Sequence, residues 1–376
     1  MEIRRSEPYM STYLHTKGRS LGLPIGGNFE LTGRCNFSCP MCYVHQSQKE
    51  IEQCGRKELT AAQWLELARQ AKDRGMIFAL LTGGEPLLRK DFFEIYDGMK
   101  QLGLLISINS NGSLLQGEIL ERFLKDPPYR FNISLYGGSE ETYSRMCGLP
   151  MYDRVKENIR RLRRAGIQVS LNLSVTPYNC GDLERIYRDA RELDVNVKAA
   201  FYMYPPIRIN GQVYGDAVRL SPEEAARYSM DWDQLRFQPE EFAQRMERMS
   251  RLISSDGEGC VMEEGEGVGC RAGSTSFWVT WDGKMLPCGM MTEPAVYPLE
   301  VGFDAAWEQL RRATSRIRMP GKCRSCTMKP VCGVCPAICY GETGRFDGVP
   351  AYLCEKAGHQ LRIARKIHDE EDHNDH

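Results

Sequence analysis

Between residues 28 and 203 the chain alternates six short apolar runs with amphipathic helical patterns, and nothing else in it restricts the fold so tightly. The runs read NFELT (28–32), MIFALLT (76–82), LLISIN (104–109), FNISLY (131–136), IQVSLNLSV (167–175) and VNVKAAFYM (195–203), each with the length and apolar content of a strand. Helical patterns fill the intervals. The clearest begins at Thr60, where Thr60 and Gln63 have capping-box spacing and Trp64, Leu67, Ala68 and Ala71 recur on one face before Gly75 stops the helix. Others run over 91–102, 114–125, 152–165 and 182–193. Strict alternation of strand and helix predicts parallel strands with right-handed crossovers, either an open doubly wound sheet or a barrel. In both, ligands gather beyond the carboxyl ends of the strands.

Two motifs fall on that rim. After the first strand, CNFSCPMC sets Cys35, Cys39 and Cys42 in the spacing C-x3-C-x2-C. Three thiolates on one short loop can hold three irons of a [4Fe–4S] cube and leave the fourth open to a ligand that is not protein. After the second strand, the glycine-rich turn from Thr82 to Glu85 offers backbone N–H groups and a carboxylate suited to the ammonium or carboxylate of a small ligand. Asn109, Ser110 and Asn111 end the third strand on the same rim and join them as candidate ligand contacts.

With 376 residues the chain suits one large α/β domain with an appendage, or two to three small domains. Its 49 basic and 50 acidic side chains nearly cancel, so no electrostatic footprint for nucleic acid or a membrane surface emerges. The chain has no apolar run of 18 residues and no secretory h-region near its start, which predicts a cytoplasmic protein. There, 15 cysteines read as metal ligands before they read as disulfides. Twelve of them fall in two groups, Cys35 to Cys42 and Cys260 to Cys354, while Cys54, Cys147 and Cys180 stand apart.

The texture changes near Tyr204. A proline- and glycine-rich stretch and a largely polar helical region over 221–253 read as a bridge. Beyond Asp256 glycines and cysteines multiply and helical periodicity fades, which predicts a region held by metal ligation in place of a hydrophobic core. The polar end HDEEDHNDH is expected to be disordered. The resulting divisions are an N-terminal segment (1–27), a βα domain (28–205), a helical bridge (206–258), a cysteine-rich domain (259–358) and a polar tail (359–376).

The three-cysteine loop and the TGGE turn, on consecutive strands of a six-fold βα repeat, resemble the radical S-adenosylmethionine (SAM) superfamily over residues 28–203. The resemblance implies a partial (β/α)6 barrel in which Cys35, Cys39 and Cys42 bind the catalytic [4Fe–4S] cluster. Tyr43 would pack near the adenine, and Gly83, Gly84 and Glu85 would meet the methionine amino group. Ser134 matches the ribose-contacting position and Arg145 the partner of the methionine carboxylate. One electron passed to the sulfonium would release methionine and a 5′-deoxyadenosyl radical, and the protein would position a substrate C–H beside it.

From 260 to 358 the order Cys270, Gly283, Cys288, Cys323, Cys326, Cys332, Cys335, Cys339 and Cys354 resembles the SPASM extension, which implies two auxiliary [4Fe–4S] clusters. By analogy Cys260, Cys270, Cys288 and Cys335 hold the first, and Cys323, Cys326, Cys332 and Cys354 the second. The family places three residues between its fifth and sixth cysteines, whereas two separate Cys332 from Cys335 here, so the choice between Cys335 and Cys339 stays open. The CRSC and CGVC pairs also fit a zinc ribbon.

Extension-bearing relatives act mostly on peptides, so the resemblance implies oxidative modification of a ribosomal peptide, as a thioether or carbon–carbon cross-link. The alternatives are oxidation or rearrangement of a small molecule, peptide epimerisation with Cys54, Cys147 or Cys180 returning hydrogen, and a non-catalytic metal-binding module. Sulfatase-maturing members carry an aspartate base directly after the cysteine matching Cys288; Gly289 and Met290 stand here and disfavour that activity. Only 34 residues precede Cys35, too few for the winged-helix module that grips leader peptides, which points to a separate leader-binding protein or to the chain's own rim or bridge. A flavodoxin- or ferredoxin-type electron donor is the remaining partner expected.

Overall fold

In the computed structural model the six predicted runs all form strands, and two further strands extend the sheet. The structure describes residues 9–44, 46, 48–53, 55–205, 218–254, 267–324 and 326–374. The strands are β1 (Gly26–Glu30), β2 (Phe78–Thr82), β3 (Leu105–Ser110), β4 (Arg130–Ser134), β5 (Val169–Ser174), β6 (Asn196–Ala200), β7 (Ser276–Val279) and β8 (Met285–Leu286). Their order is β6-β5-β4-β3-β2-β1-β7-β8, parallel throughout except for the β7/β8 pair. The crossovers are helical. A helix α1 (Tyr9–Leu21) precedes β1, and α2 (Ala61–Asp73), α3 (Phe92–Gln101), α4 (Gly117–Lys125), α5 (Glu140–Cys147), α6 (Tyr152–Arg164) and α7 (Leu183–Glu192) link the strands. The architecture is the α/β parallel sheet of a partial barrel.

Register explains which face does what. Phe29, Leu81, Ile108 and Phe131 lie opposite one another and turn to the helices, where Phe29 meets Trp64 edge to face at 5.9 Å. The alternate set, Asn28, Glu30, Thr82, Ser107, Asn109, Asn132, Ser134 and Asn172, with Leu80 among them, makes the other face largely polar. The two-residue period of a strand therefore builds a dry shell outside and a hydrogen-bonding wall within. At Thr60 the capping box forms as predicted, with Thr60 and Gln63 each bonding the other's backbone.

The C-terminal half departs from expectation. Instead of depending on metal for its whole framework, it feeds β7 into the sheet beside β1 and packs α10 (Phe303–Ser315) against α2. Phe277, Phe303 and Trp307 are fully buried there, Phe277 lies 5.2 Å from Phe303, and the Trp307 indole donates to the Gly22 carbonyl at 2.8 Å. Phe303, Ala306, Trp307 and Leu310 do follow a helical period. Cysteines and glycines on either side obscure it.

The bridge forms two helices, α8 (Pro222–Arg236) and α9 (Pro239–Ser254). The last helices are α11 (Pro336–Thr343) and α12 (Ala351–Asn374), and α12 corrects the disorder expected of HDEEDHNDH, running into that segment as far as Asn374. Leu361 and Ala364 are buried with Met230 and Met246 of the bridge helices, so apolar contact carries the helix through a stretch whose composition reads as solvated.

Candidate active site

The C-terminal ends of β1, β2 and β3 bring the two rim motifs together. Beyond β1 the loop carries Cys35, Cys39 and Cys42, all half-buried. Its shape comes from backbone and amide contacts: the Phe37 N–H points at the Cys35 sulfur at 3.4 Å, the Asn111 amide lies 3.8 Å from the same sulfur, and the Ser38 N–H donates to the Cys147 carbonyl at 3.1 Å. Burial pushes the Cys35 thiol up to about 12, with Glu85 and the two other cysteines adding to the rise. The Cys39 thiol is also raised, first by its hydrogen bond with Cys147 and then by burial. A metal that binds this loop must displace protons held by a dry, crowded environment. The donor set fits an iron–sulfur group: three thiols on one loop with N–H donors aimed at sulfur. Among the described residues no three His, Cys, Asp or Glu meet as closely as a single metal ion demands.

The TGGE turn lies directly against this loop. Gly84 N–H donates to the Thr32 carbonyl at 2.7 Å and Glu85 N–H to the Arg34 carbonyl at 2.8 Å. A Cβ on Gly83 (φ +149°) would stand 2.5 Å from the Thr32 carbonyl oxygen, and one on Gly84 2.2 Å from that of Arg34. Both glycines are therefore dictated by backbone meeting backbone. The Glu85 carboxylate is fully buried and accepts from Leu87 N–H (3.1 Å), Ser110 hydroxyl (3.0 Å) and Asn111 N–H (2.7 Å), tying the β2 loop to the β3 loop.

Burial raises Glu85 to about 7 against an ordinary 4.5, even though those three donors pull the other way. The folded chain thus keeps a proton that the unfolded chain has released between about 4.5 and 7. The stability this confers is complete below 4.5 and is lost as the pH climbs through 7. In metal-free chain kept reduced, Glu85→Gln should accordingly gain stability relative to the parent between pH 5 and pH 8, by up to about 3 kcal/mol. Melting both proteins at the two pH values checks this; a constant difference would rule it out.

Other predicted residues occupy varied places. Tyr43 is half-buried with its ring 6.5 Å from that of Tyr204. Asn109 accepts from the Asn132 amide at 2.8 Å on the polar face, and the Ser134 carbonyl accepts from the Tyr143 hydroxyl at 3.4 Å. Arg145 lies on the half-exposed side of α5, paired with Glu141 at 3.1 Å. Cys147 is fully buried behind Cys39, and Cys180 is half-buried with its thiol 3.7 Å from the Pro177 carbonyl. Cys54 and Cys260 lie outside the described residues.

The second cysteine group divides in space. Cys323, Cys326, Cys332 and Cys354 bear on one another electrostatically, and Cys332 is pushed up to about 11 by burial and then by its thiol neighbours. Cys288 and Cys335 instead share an apolar cluster with Tyr204, Met290 and Met291. Cys270 and Cys288 line one cavity of about 730 Å³ with His15, Asn28 and Trp278. Cys339 is wholly buried in α11 within electrostatic reach of Cys323, Cys335 and Cys332.

One pair escaped the sequence reading. Glu30, fully buried at the end of β1, accepts from the Trp278 indole at 2.8 Å across the β1/β7 junction. A Cβ on Gly289 would meet that indole ring at 2.8 Å, so the residue after Cys288 is small because tryptophan fills the space. Only the pairing of β7 with β1 reveals this, since about 250 residues separate the partners (|i−j| is 248).

Residues 29–190 match the radical SAM superfamily. The AdoMet-dependent heme synthase of Methanosarcina barkeri is 29% identical over 346 residues, 88% of this chain and 96% of that protein. A probable GTP 3′,8-cyclase of Saccharolobus islandicus is 33% identical over 177 residues, 46% of this chain and 56% of that one. Among solved structures, Streptococcus suis SuiB bound to its precursor peptide SuiA superposes with a TM-score of 0.64 at 16% identity, covering 94% of this chain and 83% of SuiB. The enzyme anSMEcpe with bound AdoMet and the Cp18Cys peptide gives 0.66 at 16% identity, covering 93% and 99%. These two likenesses establish shared fold. The family match falls on residues 29–190, the stretch whose three-cysteine loop is seated on the TGGE turn at the mouth of a parallel βα sheet.

Proposed function

We propose that the chain is a radical SAM oxidoreductase that oxidises a small, carboxylate-bearing molecule of the tetrapyrrole type, using auxiliary clusters in its C-terminal half. The observation that carries this is the relationship to the heme synthase, which runs through both the barrel and the cysteine-rich region and spans 96% of that protein. When bound, the cluster at Cys35, Cys39 and Cys42 supplies the electron that cleaves S-adenosylmethionine to methionine and a 5′-deoxyadenosyl radical. The chain's own residues do the rest. Gly83 and Gly84 let the two rim loops close on each other, Glu85 braces them, and the polar face of β3 to β5 supplies donors and acceptors toward cofactor and substrate. On that face the register adds Lys198, level with Asn172 and Ser134, a cation suited to a carboxylate. Cys270, Cys288 and Cys335, with Cys260, are read as the first auxiliary set, and Cys323, Cys326, Cys332 and Cys354 as the second.

A second reading, modification of a ribosomal peptide, is favoured by the fold shared with SuiB and anSMEcpe, both solved with peptides bound. One experiment separates the two. Reconstituted, reduced enzyme is incubated anaerobically with S-adenosylmethionine and either an iron-loaded porphyrin carboxylate or a cysteine-rich peptide encoded nearby. A porphyrin mass change that accompanies 5′-deoxyadenosine supports the first reading. A peptide lighter by about two mass units, the mark of a two-electron oxidation, with an unaltered porphyrin, replaces it with the second.

A further inference from the structure

Leaving β6, the chain passes Tyr202 and Tyr204, whose rings meet edge to face at 5.0 Å but whose hydroxyls take different partners. The Tyr202 hydroxyl bonds Glu342, which also pairs with Arg219 at 2.8 Å. The Tyr204 hydroxyl sits 3.9 Å from the sulfur of Cys335. Its ring, meanwhile, lies 6.5 Å from that of Tyr43, the residue directly after Cys42. Cys288, Met290 and Met291 complete its surroundings. One half-buried phenol therefore touches the catalytic loop with its ring and the C-terminal cysteine group with its hydroxyl.

We propose that Tyr204 is a positioning residue that donates its hydroxyl to the Cys335 sulfur and raises the reduction potential of the iron–sulfur group held there. This rests on the reading of Cys288 and Cys335 as ligands of the first auxiliary cluster. An iron-bound cysteine sulfur has no proton to give, so the shared hydrogen belongs to the phenol. Such a bond withdraws charge from sulfur and favours the reduced cluster, and the surrounding apolar side chains strengthen it. A group that is to accept an electron from oxidised substrate needs that bias. Cys339 is wholly buried in α11, whereas it is the Cys335 sulfur that the Tyr204 hydroxyl reaches.

The test uses full-length, anaerobically reconstituted protein and redox titration followed by electron paramagnetic resonance. Tyr204→Phe should shift one auxiliary midpoint to more negative potential with iron content unchanged. Incorporating 3-fluorotyrosine at position 204, a stronger donor of nearly the same shape, should shift it the other way. Tyr202→Phe, in the same aromatic layer, should leave it in place. Equal midpoints in all three proteins at full iron content would overturn the proposal, as would a Tyr202→Phe shift matching that of Tyr204→Phe. Should the parent protein itself hold only about four irons, one cube's worth, the auxiliary-cluster reading fails first and takes this inference with it.

Discussion

Replacing Cys35, Cys39 and Cys42 together by alanine should abolish 5′-deoxyadenosine formation and lower the iron content from about twelve to about eight per chain, three four-iron clusters becoming two. The loop's shape does not rest on the three sulfurs alone. The Ser38 to Cys147 backbone bond, the Asn111 to Asn36 amide bond (2.8 Å) and the contact of Gly84 with Thr32 all survive the change, so the βα core should still fold. Circular dichroism, iron analysis and product chromatography on the same preparation check each part. Continued cleavage of S-adenosylmethionine by the triple variant would sink the catalytic assignment. Stoichiometric zinc with about four irons in the parent protein would instead make the C-terminal cysteines a zinc module.

The second large effect is expected at Trp307. From α10 its fully buried side chain packs against Phe277 of β7, and its indole N–H bonds the Gly22 carbonyl. Trp307→Ala should destabilise the metal-free chain by about 3–5 kcal/mol, the cost of a large core cavity, and should do so before any iron is added. Denaturant unfolding of both proteins under reducing conditions measures it. If the metal-free parent and variant unfold alike, the C-terminal half is held by metal ligation after all, and the packing of β7 and α10 contributes little.

The first six strands and their helices were legible because each is announced locally. FNISLY and IQVSLNLSV alternate polar and apolar residues, and that period alone puts Asn132 and Ser134 on one face and Phe131 and Ile133 on the other. The Thr60 capping box is an equally local signal. Less legible was α12, whose charged end reads as solvated; Leu361 and Ala364 hold it only because α8 and α9 offer an apolar face. Arg89 is another such case: it is buried, bonding the Leu31 and Leu59 carbonyls at 2.8 and 2.9 Å and so lacing the β1 rim to the chain before α2.

Spacing by itself announced the cysteine loop beyond β1, a glycine-rich turn beyond β2 and six strands that alternate with helices. Those features depend on residues within a turn or two of one another, and short-range sterics and periodicity suffice to specify them. The folded chain alone decided that β7 joins β1, that Trp278 covers Glu30 and requires Gly289, and that Tyr204 stands between Tyr43 and Cys335. Apart from the contact of Trp278 with Gly289, each of these joins segments more than 100 residues apart, where no local pattern encodes the partner and the outcome depends on which apolar surfaces remain to be covered once the first six strands have paired.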